Sequence, residues 1–109
     1  MSTPTPRIRL SAREVAPGEI IDIRTMVSHP METGNRIDPD GRAIPRNIIH
    51  DLHAEFDGQT VFRAALETSV SANPYLQFKF APSRSGTLTL TWRGDDGFEV
   101  AAEEPITVT

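Results

Sequence analysis

The residues with the most chemical potential in this chain are its histidines, His29, His50 and His53. His50 and His53 are three apart, a spacing that aligns two imidazoles on a helix but puts them on opposite faces of a strand. His29 stands in a loop with no thiolate beside it, because the chain has no cysteine. A zinc site wants three or four such ligands, so the histidines read as surface or hydrogen-bonded groups and no metal is expected. The segment "RIDPDGR", Arg36 to Arg42, has a faint likeness to a calcium loop. Aligning Gly41 with the loop's glycine puts Arg36 where the first carboxylate belongs and Asn47 where the bidentate glutamate belongs. A cation site does not begin with a cation, and the segment reads as turns pinned by Pro39 and Gly41.

Nucleophilic chemistry finds no better footing. Ser28 next to His29 is a sequence neighbour, not a triad, and no serine occupies a strand-to-helix elbow. The seven glycines never gather into a phosphate-cradling loop ahead of a helix. Asp95 with Asp96, and Glu103 with Glu104, are adjacent carboxylates of the kind found in solvated turns and edges. A pairing of His29 with Glu32 as base and orienter lacks any nucleophile to serve. The expectation is a chain that is not an enzyme and that carries no cofactor.

The bulk properties bound the rest. A length of 109 residues, with 38% hydrophobic residues and a net charge of −4, suits one folded domain and is too apolar for disorder. The acidic balance argues against nucleic-acid binding, which needs cations to displace counterions from phosphates. Ten arginines against a single lysine, Lys79, suit bidentate anion recognition, although codon usage alone explains such a bias. No run is long and apolar enough to span a membrane, and "MSTPTPRIRLSAREV" has no apolar segment of the signal-peptide kind. Taken alone, these features suggest the cytoplasm.

The elements that would position any site are strands. Residues 1–6 form a polar tail and residues 7–109 the domain. "RIRL" (Arg7 to Leu10) alternates, "APG" turns, and "EIIDIRTMV" (Glu19 to Val27) sets Ile21, Ile23 and Val27 on one face. "RNIIHDLHAEF" (Arg46 to Phe56) places Ile48, His50, Leu52, Ala54 and Phe56 on one side. "DG" (Asp57, Gly58) is a tight-turn signal, and "QTVFRAAL" returns antiparallel. After the break "SANP", "YLQFKFA" points Leu76, Phe78 and Phe80 inward, and "TLTLTWR" does the same with Leu88, Leu90 and Trp92. The turn "GDDG" leads to a last strand interrupted or kinked at Pro105. About seven short antiparallel strands with no helical period describe an all-β chain, an immunoglobulin-like β-sandwich.

The segment from Val27 to Ile49 is longer than most connections in compact domains, and such loops tend to be functional or disordered. It combines a rigid Pro30 and a soft Met31 with Glu32 and Arg36 at its edges, a mixture suited to protein contact. The alternative is a loop that folds back to cap its own sandwich.

"SHPMETGNR" (Ser28 to Arg36), "DGRAIPRNII" (Asp40 to Ile49), "SANPYLQFKF" (Ser71 to Phe80) and "GTLTLTWRGDDG" (Gly86 to Gly97) resemble the SoxZ family. SoxZ is the smaller subunit of the SoxYZ carrier of bacterial thiosulfate oxidation. The resemblance runs from "RIRL" to the final strand; the "HPMETG" and "SANPY" blocks are its specific parts, and the Gly/Asp turn is not. It implies an immunoglobulin-like sandwich paired with a SoxY-like subunit, whose flexible carboxy-terminal arm ends in a glycine-flanked cysteine. Sulfur intermediates ride on that cysteine while sulfur-oxidation enzymes make transient contact with the carrier. It also implies a periplasmic location by co-export with SoxY, overturning the cytoplasmic expectation. The candidate partner-binding residues are His29, Pro30, Met31, Glu32, Arg36, Arg46, Asn73, Pro74 and Tyr75. Among these, Pro30, Met31 and Tyr75 would be apolar anchors, and Arg36 and Arg46 would meet carboxylates. The competing expectation is a free-standing protein- or carbohydrate-binding module, which would need more exposed aromatics than one Trp and one Tyr supply.

Overall fold

The computed structural model describes residues 5–70 and 72–109. Most of the expected tail, and Ser71 of the "SANP" break, lie outside the described residues; Thr5 and Pro6 have no regular structure. The strands are β1 (Arg7–Leu10), β2 (Glu14–Val15), β3 (Ile21–Met26), β4 (Ile49–Phe56), β5 (Gln59–Ala65), β6 (Tyr75–Phe80), β7 (Gly86–Gly94) and β8 (Glu99–Val108). They form a three-stranded sheet in the order β1-β3-β6 and a five-stranded sheet in the order β2-β8-β7-β4-β5. This is the expected all-β sandwich. The strand without a clear sequence signal is the two-residue β2, which pairs parallel to the end of β8.

Period-two patterning builds the core. Ile21, Ile23 and Thr25 on β3 lie opposite Phe80, Phe78 and Leu76 on β6, and face Leu52, Ala54, Leu88, Leu90 and Trp92 of the larger sheet. Two aromatic contacts tie the sheets together: Phe62 stacks on Phe78 at 4.3 Å between centroids, and Phe56 leans on Phe80 at 5.0 Å. At the far end of β8, the inner-face Glu104 bonds to Arg13. An inward charge at a sheet edge is one way of blocking unwanted strand pairing.

Two sequence expectations need correction. His50 does not point into the core with Leu52 and Phe56; it is exposed, while Ile49 is fully buried. The cause is a β-bulge. Ile49 pairs with Gly94 and Asp51 with Arg93, so His50 is the extra residue and is turned outward. Pro105 does not break its strand: β8 runs unbroken past it. Its β7 neighbour Thr87 directs its N–H to Asp57 Oδ1 at 2.8 Å and accepts the Asp57 N–H at 3.0 Å, away from β8. Pro105 therefore occupies a position where the ladder asks for no donor.

Candidate functional site

The long connection between β3 and β4 divides into two parts with different tasks. Its beginning and end enter the core: Val27, His29, Met31 and Ile48 are all at most 5% exposed. Between them the chain runs out and back as an irregular hairpin. Glu32 and Asn47 exchange backbone hydrogen bonds of 2.8 Å each way, and Ile44 N–H reaches Arg36 O at 2.9 Å. At the tip, Asp38 Oδ1 accepts from Asp40 N–H and Arg42 N–H, both at 2.9 Å. That carboxylate serves its own turn, as the turn reading of "RIDPDGR" expects, and Gly41 supplies a φ of 81°.

The two blocks singled out in the sequence meet. Asn73 donates its backbone N–H to His29 O at 2.7 Å, and its Oδ1 accepts the His29 N–H at 3.0 Å. Asn73 holds a left-handed φ of 53°, a conformation that Asn tolerates better than most residues. Pro74 is buried beside it, and Tyr75 begins β6 with 55% of its surface exposed. Ser28 Oγ lies 3.4 Å from Asn73 Oδ1, so it is turned to this junction and forms no dyad with His29.

His29 and Met31 are interior supports, not surface contacts. The Met31 N–H donates to His29 Nδ1 at 3.0 Å, and the His29 ring meets Phe98 edge-on at 4.8 Å. Met31 Sδ accepts the Ile49 N–H at 3.2 Å. At 4% exposed, Met31 is buried, where the sequence reading expects an apolar anchor for a partner. An accepting Nδ1 must be unprotonated, which puts the ring hydrogen on Nε2. Burial pushes the imidazole below its usual range, and the nearby Asp95 pulls the other way.

Arg36 and Arg46 of the loop are already engaged. Arg46 forms a two-pronged pair with Asp95, 2.8 Å on each prong, and Asp95 also accepts the Ile48 N–H at 3.2 Å. These bonds hold the Asp95 carboxyl below the ordinary carboxylate range. Arg36 forks onto Glu32 at 2.5–3.1 Å and lowers its pKa likewise. Between the two arms of the hairpin and the β7–β8 turn lies an open depression of about 610 Å³, lined by Pro30, Glu32, Ile44, Arg46 and Asp96. Asn47 also lines it, and Asn47 Oδ1 is buried without a hydrogen-bond partner. Sequence reasoning missed Asp95 and Phe98, since "GDDG" looks like any solvated turn. Among the described residues no group of three or more His, Asp or Glu is placed to hold a metal ion. The depression is rimmed by the charged side chains of Glu32, Arg46 and Asp96 and by Asn47.

The pH response of His29 follows from these contacts. Its folded pKa lies below the ordinary 6.5, so its contribution to stability is complete above that value and is lost as pH falls through the folded pKa. The urea midpoint is expected to stay level above pH 6.5 and to decline as the pH falls below it. His29→Asn, which can offer Oδ1 to the Met31 N–H without titrating, should flatten that decline. An unchanged slope in the variant would assign the pH response to other groups.

A family model described as "Sulphur oxidation protein SoxZ" matches residues 8–105. No curated protein gives a significant match to the sequence. Among solved structures, the superoxide reductase (neelaredoxin) of Ignicoccus hospitalis is similar, with a TM-score of 0.72 at 21% identity over 96% of this chain and 80% of that one. A variant of the same protein gives 0.76 at 20% identity, covering 99% of this chain and 83% of that one. A putative superoxide reductase of Thermotoga maritima gives 0.72 at 19% identity, covering 95% and 85%. Likeness at such low identity is a likeness of fold.

Proposed function

Because the chain belongs to the SoxZ family of sulphur oxidation proteins, we propose that it is the non-catalytic subunit of a two-chain carrier of sulfur compounds. The observation that carries this reading is the family match joined to the composition: the chain has no cysteine. A carrier that holds sulfur intermediates covalently needs a thiolate, so here the thiol stands on a second chain. That partner is a SoxY-like subunit with a cysteine near its carboxy terminus, and the assembled carrier works in thiosulfate oxidation. The complex is periplasmic, reached by export together with the partner.

In this reading the hairpin and the Asn73–Tyr75 corner form the docking surface. Pro30, Asn73 and Tyr75 are exposed, and the Arg36 side chain is 69% exposed, so these make the direct contacts. His29, Met31 and Pro74 hold them in place from within. A rigid face of this kind suits a subunit that presents a partner's mobile arm to several enzymes in turn, because little ordering entropy is lost at each encounter. A sugar-binding module would need exposed rings for stacking, and Trp92 is only 1% exposed, which leaves Tyr75 alone for that task.

The test is co-expression with the proteins of the source organism, recovery by a tag, and intact mass of whatever accompanies the chain. A small protein with a cysteine near its carboxy terminus, bearing added sulfur mass, is the expected companion. Arg36→Glu reverses an exposed charge at the hairpin and should lower that recovery by about tenfold, equivalent to roughly 1.4 kcal/mol. Recovery of the chain alone, or with a partner lacking such a cysteine, would end the carrier reading.

A further inference from the structure

Six arginines, Arg13, Arg36, Arg46, Arg63, Arg84 and Arg93, have acidic partners within 4 Å. Among the described residues, Arg7, Arg9, Arg24, Arg42 and Lys79 have none. All but Arg42 share one surface. Alternation along β1, β3 and β6 turns Arg7 and Arg9, Asp22, Arg24 and Met26, and Tyr75, Gln77 and Lys79 to the outer face of the three-stranded sheet. The outer face of the larger sheet is different, because Arg63 and Arg93 there are matched by Asp51 and Glu99.

The register makes this concentration of charge costly. Arg9 stands directly across from Arg24 on neighbouring antiparallel strands, and like charges in that position repel. Asp22 is the only acid in the three strands. Its side chain meets Gln77 Nε2 at 3.4 Å, with no cation within salt-bridge distance. In a chain whose net charge is −4, an uncompensated basic face of this kind lacks its counter-charge within the molecule. Arg7, Arg9, Arg24, Met26 and Tyr75 also line an open depression of about 330 Å³.

We propose that this face docks an acidic segment of a partner protein. Arg7 and Lys79 lie on opposite edge strands and four residues apart in register. With strands about 4.8 Å apart and about 3.4 Å of rise per residue, that is roughly 17 Å between their backbones. One small oxyanion cannot reach across such a span, whereas carboxylates repeated along a peptide can. Tyr75, 55% exposed, and Met26 add an apolar anchor at one end of the row. The charges of the face are exposed, so the contact is steered by charge and weakened by salt. The face meets the hairpin-and-corner surface only at Tyr75, and its charged row of Arg7, Arg9, Arg24 and Lys79 has no part in the carrier reading.

The ¹⁵N-labelled full chain should be titrated with three probes at low salt: a peptide with Glu at alternate positions and Phe between them, its Gln counterpart, and sodium sulfate at matched ionic strength. Saturable amide shifts confined to β1, β3 and β6 are expected with the Glu peptide alone. Arg9→Glu should weaken binding by at least about tenfold while raising the melting temperature, because the new carboxylate faces Arg24. A residue with a merely structural role would not lower binding and raise stability together. Arg42→Glu makes the same change in net charge off this face and should leave the affinity unchanged. Equal shifts from the Gln peptide, or the same saturable shifts from sulfate, would overturn the proposal. So would equal weakening by Arg42→Glu, or no weakening by Arg9→Glu.

Discussion

Trp92→Ala is expected to lower the unfolding free energy by about 3–5 kcal/mol. Trp92 sits near the end of β7, in register with Leu52 on β4 and Val100 on β8, and only 1% of its surface is exposed. Removing the indole opens a cavity in the core between two hydrogen-bonded sheets. Such walls cannot slide inward without breaking ladders, so the cavity term adds to the transfer term instead of relaxing away. A domain of this size is stable by only about 5–15 kcal/mol, and the melting temperature should fall by roughly 15–30 °C. The chain has one tryptophan, so unfolding of the variant has to be followed by circular dichroism in urea. A loss under about 1 kcal/mol would mean that the sandwich is not packed around Trp92.

The sandwich was legible because three strands carry plain alternation. "TLTLTW", "YLQFKF" and "IDI" each repeat apolar residues every second position, and a half-buried sheet demands that pattern. The bulge in β4 was not legible, since its cause is non-local. Ile48 O accepts the Asp95 N–H at 2.9 Å, and a Cβ on Gly94 would come within 2.6 Å of that carbonyl. A glycine far along the chain thus lets the strand entrance close in and turns His50 outward. Pro105 misled for a related reason: whether a proline breaks a ladder depends on which way its neighbour's donors point, and Thr87 points to Asp57.

The site shows the same division. The long "HPMETG" loop stands out by its length and residue types, whereas "SANPY" reads locally as a chain break and gains a role only through the family resemblance. The division of labour among their residues was not legible. His29 and Asn73 find each other across 44 positions, and Arg46 finds Asp95 across 49; nothing in local spacing announces either pair. In sequence the loop reads either as a partner surface or as a cap on its own sandwich. Its two ends enter the core, as the capping alternative expects, and its middle projects away from it.

Met31 joins those stretches, and Met31→Ala is expected to cost about 2–5 kcal/mol. The side chain is 4% exposed, its Sδ accepts the Ile49 N–H, and its backbone holds a left-handed φ of 50°. A non-glycine residue in that region carries strain that its contacts must offset, on the order of 1–3 kcal/mol. Met31→Leu keeps most of the volume but leaves the buried Ile49 N–H without an acceptor, so it should cost about 1–3 kcal/mol. The two variants therefore separate packing from the sulfur acceptor, with Ala the more damaging. Hydrogen exchange adds a local readout: the Ile49 amide should lose protection in both. At a temperature where Met31→Ala remains folded, its recovery of the partner should still fall, because Pro30 and Glu32 lose the anchor that aims them. Full recovery by a folded Met31→Ala protein would move the partner surface away from the hairpin, to a face that this methionine does not support.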